Sequence, residues 1–292
     1  MKEPRFRESR AMSVEATSET ISQTTEVLDW EPPMPPTDLI FDDGEPLESN
    51  RHRIAMNTLI RSLQQAWADR NDFYTGGNMF IYYSSAQARN RDFRGPDFFA
   101  VLDVDGTTER QGWVVWEENG RYPDVIVELM SPSTAGVDTG AKKDIYERIF
   151  RTRDYFVYNP FDPTSLAGWR LDSNFRYQAL APNEQGWLWC ETLGFWLGTW
   201  SGTIDRETAM WLRFYEPLGN LVLLSEEAAQ QEAAAAQQEA AAAQQAAQAA
   251  QQESEAAQQE AAAAQQQAES QRQRAERLAA RLREMGEDPD LL

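Results

Sequence analysis

The sequence predicts an α/β fold, with one mixed β-sheet flanked by helices and a long C-terminal α-helix appended to it. Three observations predict this. Apolar residues recur at three- and four-residue spacing over 48–69 and again near 139–151, the pattern of helices that face a core. Around them lie short segments rich in Val, Ile, Phe and Tyr, bounded by Gly, Pro and Asn, as strands are. Beyond Leu224 the chain has no aromatic residue and runs as an alanine–glutamine repeat. Helix, strands, helix and strand in that order pack most simply as layers around a single sheet.

Residues 1–47 are expected to be disordered or extended. They begin rich in Ser, Thr and Glu and pass into Glu31-Pro32-Pro33-Met34-Pro35-Pro36, which cannot continue a helix. A globular domain is expected over 48–216. Its first helix carries Ile54, Leu59, Ile60, Leu63 and Trp67 on one side. Strands follow at Met79 to Tyr83, Asp97 to Val104, Trp113 to Trp116 and Asp124 to Met130. A second helix runs from about Thr139 to Arg151, and an apolar strand from Asp154 to Tyr158 stops at Asn159-Pro160. Hairpin-like strands carrying Trp169, Tyr177, Trp187, Trp189 and Trp196 fill 168–198.

The tail, 225–286, repeats the block Ala-Ala-Gln-Gln from positions 228, 235, 242, 249, 256 and 263. Ala, Gln and Glu all favour helix, and a seven-residue period implies a left-handed coiled coil. A four-three series from Ala229 stays almost wholly alanine, passes Ser254 and Gln271, and reaches Leu278, Leu282 and Met285. That seam predicts self-association anchored at its leucine end. A solvated single helix is the simpler alternative. Gly286, backed by Pro289, marks the helix stop.

Composition narrows the chemistry. The formal charge is −20, which argues against extended coating of nucleic acid. Net charge does not exclude a local site, because much of the acid excess sits in the first 50 residues and the tail. One Cys (Cys190) and one His (His52) exclude an internal disulfide and a Cys/His zinc site. Any Ser- or Cys-based triad would rest on His52, which the helix pattern places at a surface or helix edge. Carboxylates, lysine and a hard oxygen-bound metal remain. With no signal peptide and no apolar run of membrane-spanning length, a cytoplasmic protein without membrane association is expected.

The most informative stretch is Pro123-Asp124-Val125-Ile126-Val127-Glu128-Leu129-Met130-Ser131-Pro132-Ser133-Thr134. Glu128 interrupts an apolar strand, and a carboxylate buried there needs an ion-pair partner or a metal. Both readings, an Arg pair or a functional site, stay open on this stretch alone. If the strand opened by Pro96-Asp97 pairs directly and antiparallel with 124–130, Asp97 approaches Glu128 and Asp124 lies at the far end. If Trp113 to Trp116 intervenes, Asp97 lies nearer Asp124; the direct pairing is preferred. On the following helix Lys142 falls within the stripe of Ile145, Tyr146, Ile149 and Phe150. A lysine there either faces a partner or covers the core edge. The chain has three lysines, the rest of its 27 basic residues being arginine. Two carboxylates for a divalent ion and one lysine for water or phosphate suit phosphodiester hydrolysis.

Pro96-Asp97, then Pro123-Asp124 through Glu128 to Ser131-Pro132-Ser133, then Asp138, Lys142 and Tyr146 at four-residue steps, then Asp154-Tyr155-Phe156-Val157-Tyr158-Asn159-Pro160, resemble the Uma-type restriction endonuclease family of the PD-(D/E)XK superfamily. The resemblance spans about 48–200. It implies a restriction-endonuclease-like core and a Mg²⁺- or Mn²⁺-dependent endonuclease acting on DNA. Asp97 and Glu128 would be the metal ligands and Lys142 the catalytic lysine. The superfamily lysine normally follows the acid by two residues, where this chain has Met130. In similar members the lysine comes from the following helix, which the resemblance implies is Lys142 here. Asp124 and Glu48 are second-tier candidates; Glu48 also reads as an acid complementing a helix N-terminus. A scaffold that has lost catalysis and assembles through its tail is the competing function.

Overall fold

A computed structural model describes residues 35–41, 49–90, 94–131 and 133–286. The expected extended segment 1–47 falls almost wholly outside the described residues.

The first helix, α1 (Asn50–Ala66), starts where the Ser49 side chain accepts the His52 amide. A six-stranded mixed sheet forms from β1 (Phe73–Gly76), β3 (Phe98–Leu102), β5 (Val125–Leu129), β6 (Asp154–Asn159), β7 (Asp162–Leu171) and β8 (Tyr177–Ala179), in the spatial order β1-β3-β5-β6-β7-β8. Two short strands, β2 (Ile81–Tyr82) and β4 (Trp113–Val114), pair with each other in parallel, and the one-turn helix α2 (Ser85–Arg89) lies between them in sequence. The third sheet is antiparallel and comprises β9 (Leu188–Cys190), β10 (Phe195–Ile204) and β11 (Glu207–Tyr215).

The strand β5 organises the main sheet. It pairs antiparallel with β3, Phe98 opposite Val127 and Ala100 opposite Val125, and parallel with β6, Glu128 opposite Val157. Parallel neighbours require a crossover. A helical segment over 135–150, hereafter the site helix, supplies it, with wide π-type turns at Asp138–Lys142 and Tyr146–Phe150. Because side chains alternate along a strand, β5 serves two cores. Val125, Val127 and Leu129 join Ile54, Leu59 and Leu63 of α1 and the third sheet's Leu197, Trp211 and Phe214. Ile126 and Met130 join Tyr146 and Phe150 of the site helix and Tyr155, Val157 and Trp113. Every residue of β5 is buried, which explains why its sequence reads as an unbroken apolar run apart from Glu128.

The segment Trp113 to Trp116 does not enter the main sheet. Its two paired residues join β2, leaving β3 free to pair directly with β5. Two features are absent from the sequence reading. One is β1, whose Phe-Tyr-Thr-Gly run is short and pairs only at the sheet edge. The other is the extent of β10 and β11, whose nine paired positions run from Trp196–Tyr215 to Ile204–Glu207 across two glycines of β10. Gly198 and Gly202 interrupt the strand pattern, yet each makes room for an indole. An added Cβ would fall 2.1 Å from Trp187 at Gly198 and 1.9 Å from Trp200 at Gly202.

The tail is one 60-residue helix, Ser225–Glu284, about 90 Å long at ~1.5 Å per residue. Its first turn is locked to the third sheet. The fully buried Arg213 guanidinium donates to both Glu227 carboxylate oxygens, at 2.6 and 3.1 Å, and to the Val222 carbonyl at 2.9 Å. It also lies 5.0 Å over the Trp200 ring. Glu227 in turn accepts the Leu224 amide at 2.8 Å, and Arg61 of α1 ion-pairs with Glu226. Beyond this root the helix is exposed, with Leu278 and Met285 largely in solvent. Among the described residues no helix is long and apolar enough to cross a membrane.

Removing the carboxylate of Glu227 strands a buried cation. Glu227→Ala is therefore expected to cost about 3 kcal/mol in urea unfolding of the globular domain, the low end of the range for a broken buried pair because Glu227 is itself 24% exposed. A loss below about 0.5 kcal/mol would show that the tail root is not part of the domain.

Candidate active site

The site forms where β5 runs out towards the site helix. The β3–β5 ladder ends at Phe98 and Val127, so the Leu129 amide on that side has no strand partner. Asp97, just before β3, accepts it at 2.8 Å. This one bond terminates the ladder and fixes a carboxyl group beside the end of β5. Glu128, one residue earlier, points to the opposite face of the sheet from Leu129 and meets the site helix.

The turn between β5 and the site helix sets the helix's approach. The Ser131 hydroxyl accepts the amides of Ser133 and Thr134, each at 3.2 Å, and the Ser131 amide donates to the Thr134 hydroxyl at 3.0 Å. The helix then delivers Asp138, Lys142 and Tyr146 along one stripe. Tyr146 donates its hydroxyl to one oxygen of Glu128 at 2.7 Å, and the Lys142 ammonium donates to the other at 3.0 Å. The same ammonium lies 2.9 Å from an oxygen of Asp138. Tyr155 of β6 donates to the Asp138 backbone carbonyl at 2.7 Å, tying this part of the helix to the sheet. Glu128 is fully buried and Asp138 nearly so, while Lys142 keeps 22% of its side chain exposed.

Burial pushes the Glu128 carboxyl up to about 8, helped by the nearby Asp97 and Asp138 carboxyls and opposed by Lys142 and Tyr146. Burial likewise lifts Asp97 to about 6, against the pull of the Leu129 amide and Lys142. For Lys142 burial works against the ammonium, but the Glu128 and Asp138 carboxylates outweigh it and hold its pKa above the ordinary lysine value. Asp97 and Glu128 meet at the end of β5, Asp97 through the Leu129 amide and Glu128 as the preceding residue of the strand. Shifts of this kind, built from burial and specific charged neighbours, mark functional sites more often than inert cores.

The structure thus brings together three sequence candidates, Asp97, Glu128 and Lys142. Asp124 is not among them. It sits just before β5, four residues ahead of Glu128 and roughly 13 Å away along the strand direction, where it accepts the Leu102 amide at 2.9 Å and faces Arg121 and Arg153. There it closes the far end of the β3–β5 ladder. Glu48 lies outside the described residues. Of the two positions expected for His52, surface or helix edge, the surface one is excluded; it lies in the first turn of α1. It is buried, with Nδ1 2.8 Å from the Ser49 hydroxyl and Nε2 3.4 Å from the Met130 carbonyl. Two residues had no site role in the sequence reading, Asp138 and Tyr146. Their spacing of four on either side of Lys142 is the available signal; helix periodicity counts Tyr146 in the apolar stripe, and its hydroxyl reaches beyond it.

With the geometry in place, comparison with known proteins identifies the class. The model of the Uma2 family, described as "Putative restriction endonuclease", matches residues 25–203, and the chain belongs to that family. The match contains Asp97, Glu128, Asp138, Lys142 and Tyr146 and leaves out the tail helix. No curated protein matches the chain. Among solved structures it is similar to the crystal structure of a "putative nuclease belonging to DUF820" from Anabaena variabilis ATCC 29413, with 11% identity over 55% of this chain and 86% of the other, at a TM-score of 0.37.

The raised carboxyl pKa values carry a stability consequence of definite sign. A carboxyl whose folded value exceeds its unfolded value binds its proton more tightly when folded. Its contribution is fully present below the unfolded value, 4.5 for Glu128, and is lost as pH rises through about 8. In metal-free buffer, Glu128→Gln is therefore expected to gain Tm relative to wild type as pH rises from about 5 to 8. Thermal melts of both proteins across that window check it; a constant difference would contradict it.

Proposed function

We propose that the chain is a Mg²⁺- or Mn²⁺-dependent endonuclease that hydrolyses DNA phosphodiester bonds, with Asp97 and Glu128 as metal ligands and Lys142 as the catalytic lysine. The observation that carries this reading is the Lys142 ammonium 3.0 Å from the buried Glu128 carboxylate, at the strand end where Asp97 also lies. A lysine borne on the site helix reaches the acid that an in-strand lysine would otherwise accompany, so Met130 is no obstacle.

The donor set fits a hard divalent ion. Mg²⁺ keeps several of its waters and needs only one or two protein carboxylates, and both here are oxygen donors whose burial opposes charge without a cation. When bound, such an ion would acidify its water and offset charge on the phosphate. Within the site, Tyr146 holds one Glu128 oxygen and so fixes the plane of the carboxylate. Lys142 carries a compact positive charge to the site, suited to a phosphate oxygen or to the attacking water. The end of the sheet also presents Phe161, 57% exposed, with the Arg51 guanidinium 4.5 Å over its ring. An exposed ring backed by a guanidinium is the kind of surface on which a base stacks.

A second element of the reading concerns the tail. We infer that it pairs with a second copy through the seam ending in Leu278, Leu282 and Met285, because the helix is exposed along its length beyond the root and places its large apolar residues at one end. The competing function, assembly without catalysis, would keep this pairing and lose the chemistry.

Cleavage of plasmid DNA by purified protein is expected to require Mg²⁺ or Mn²⁺ and to stop with EDTA. Lys142→Ala and Glu128→Gln are expected to lower the rate by about 10²–10³-fold, as removal of one charge-stabilising group does. Undiminished cleavage in both variants would remove the site assignment. For the tail, analytical ultracentrifugation should show a multiple of the 33.3 kDa chain mass for the full protein and a monomer after deletion of 230–292. A full-length monomer would exclude the pairing.

A further inference from the structure

The site contains one carboxylate that the proposed reaction does not use. Asp138 is 1% exposed, and one of its oxygens lies 2.9 Å from the Lys142 ammonium. It is not placed as a third metal ligand, since among the described residues no three His, Cys, Asp or Glu side chains converge as a metal-holding group. A buried carboxylate is costly without a partner, so the arrangement asks what Asp138 does for the lysine.

A lysine borne on a strand takes its position from the sheet. A lysine borne on a helix, at the end of a flexible four-carbon stem, has no such constraint. Among the described residues its other ion pair is with Glu128, the group a divalent ion must also engage. Held by Glu128 alone, the ammonium would compete with the ion for the same oxygen. We propose that Asp138 is the positioning residue that holds the Lys142 ammonium beside the metal site and frees Glu128 for the ion. The inference rests on the endonuclease reading.

Three further features support it. The wide turn at Asp138–Lys142 joins the two residues within one helical loop, a distortion that recurs at functional sites. Tyr155 pins the Asp138 carbonyl from the sheet side, so the anchor is itself held. The Asp138 oxygen lies in ion-pair contact with the ammonium and has no hydrogen-bond partner of its own among the described residues, so its hold on Lys142 is electrostatic, and transfer of Glu128 to the ion frees the ammonium's protons for water or phosphate.

The test measures Mn²⁺ binding to the full chain by electron paramagnetic resonance, with no DNA present, in wild type, Asp138→Asn, Lys142→Gln and the double variant. Asp138→Asn is expected to weaken Mn²⁺ about tenfold, the usual effect of removing a residue that orients a site group. In the Lys142→Gln background the same substitution should have almost no effect, because nothing remains to be positioned. An equal loss in both backgrounds would show that Asp138 acts on the ion or on the fold, and would overturn the inference while leaving the endonuclease reading intact. Wild type that binds no Mn²⁺ would overturn both.

A second measurement needs no variant to fold. The chain has only three lysines, so ¹⁵N-lysine labelling resolves the Lys142 ammonium by NMR. Saturation with Mg²⁺ should leave its slowly exchanging signal in place, still held by Asp138. Loss of that signal into bulk exchange would overturn the inference.

Discussion

The central constraint on this molecule is a carboxylate inside a strand that is buried on both faces. Glu128 sits where β5 is flanked by β3 and β6 and covered by packed layers on each side. A charge there cannot be left to water, and a neutral acid still needs partners for its oxygens. The fold meets this demand from one helix, which sends Lys142 and Tyr146 to the two oxygens. The crossover from β5 to β6 is therefore more than a connection. Its length, its polar entry turn at Ser131 and its wide turns all bear on where those two side chains arrive.

Much of this arrangement could be read from the residues. The unbroken apolar run around Glu128 announced a central strand with one misplaced acid. Of the two pairings the residues allow, the preferred direct antiparallel one of β3 and β5 is the one formed, and the structure shows why: Trp113 and Val114 find their own small sheet with Ile81 and Tyr82. Lys142 stood out as a cation within an apolar stripe. What could not be read was which polar atoms would close the network. The Tyr146 side chain is mostly ring, and periodicity counts it as core; only the fold shows that its hydroxyl extends to Glu128. Asp124 and Asp97 both follow a proline at a strand start, and nothing local distinguishes them. Pairing direction does, because it sends one to each end of the ladder.

The third sheet shows a different limit. Gly198 and Gly202 argue against a long strand by propensity, yet β10 is ten residues long. The glycines are sites of close approach for Trp187 and Trp200, and the energetic gain of packing those indoles lies in residues distant in sequence. His52 is a similar case. A helix's first turn usually faces solvent, but here it abuts the end of β5, and the imidazole is enclosed between Ser49 and the Met130 carbonyl. Local pattern gives the element; the neighbour that covers it comes from topology.

The clamp between Arg213 and Glu227 makes the tail an arm rather than a tether. Because the join lies in the first turn, the direction of the whole rod is inherited from the orientation of the third sheet. At a length of about 90 Å, a tilt of one degree at the base sweeps the far tip by about 1.6 Å. Small adjustments beneath Trp200 are thereby magnified into displacements the size of a bond. Conversely, a pull applied near Met285 reaches the globular part with a mechanical advantage set by simple leverage.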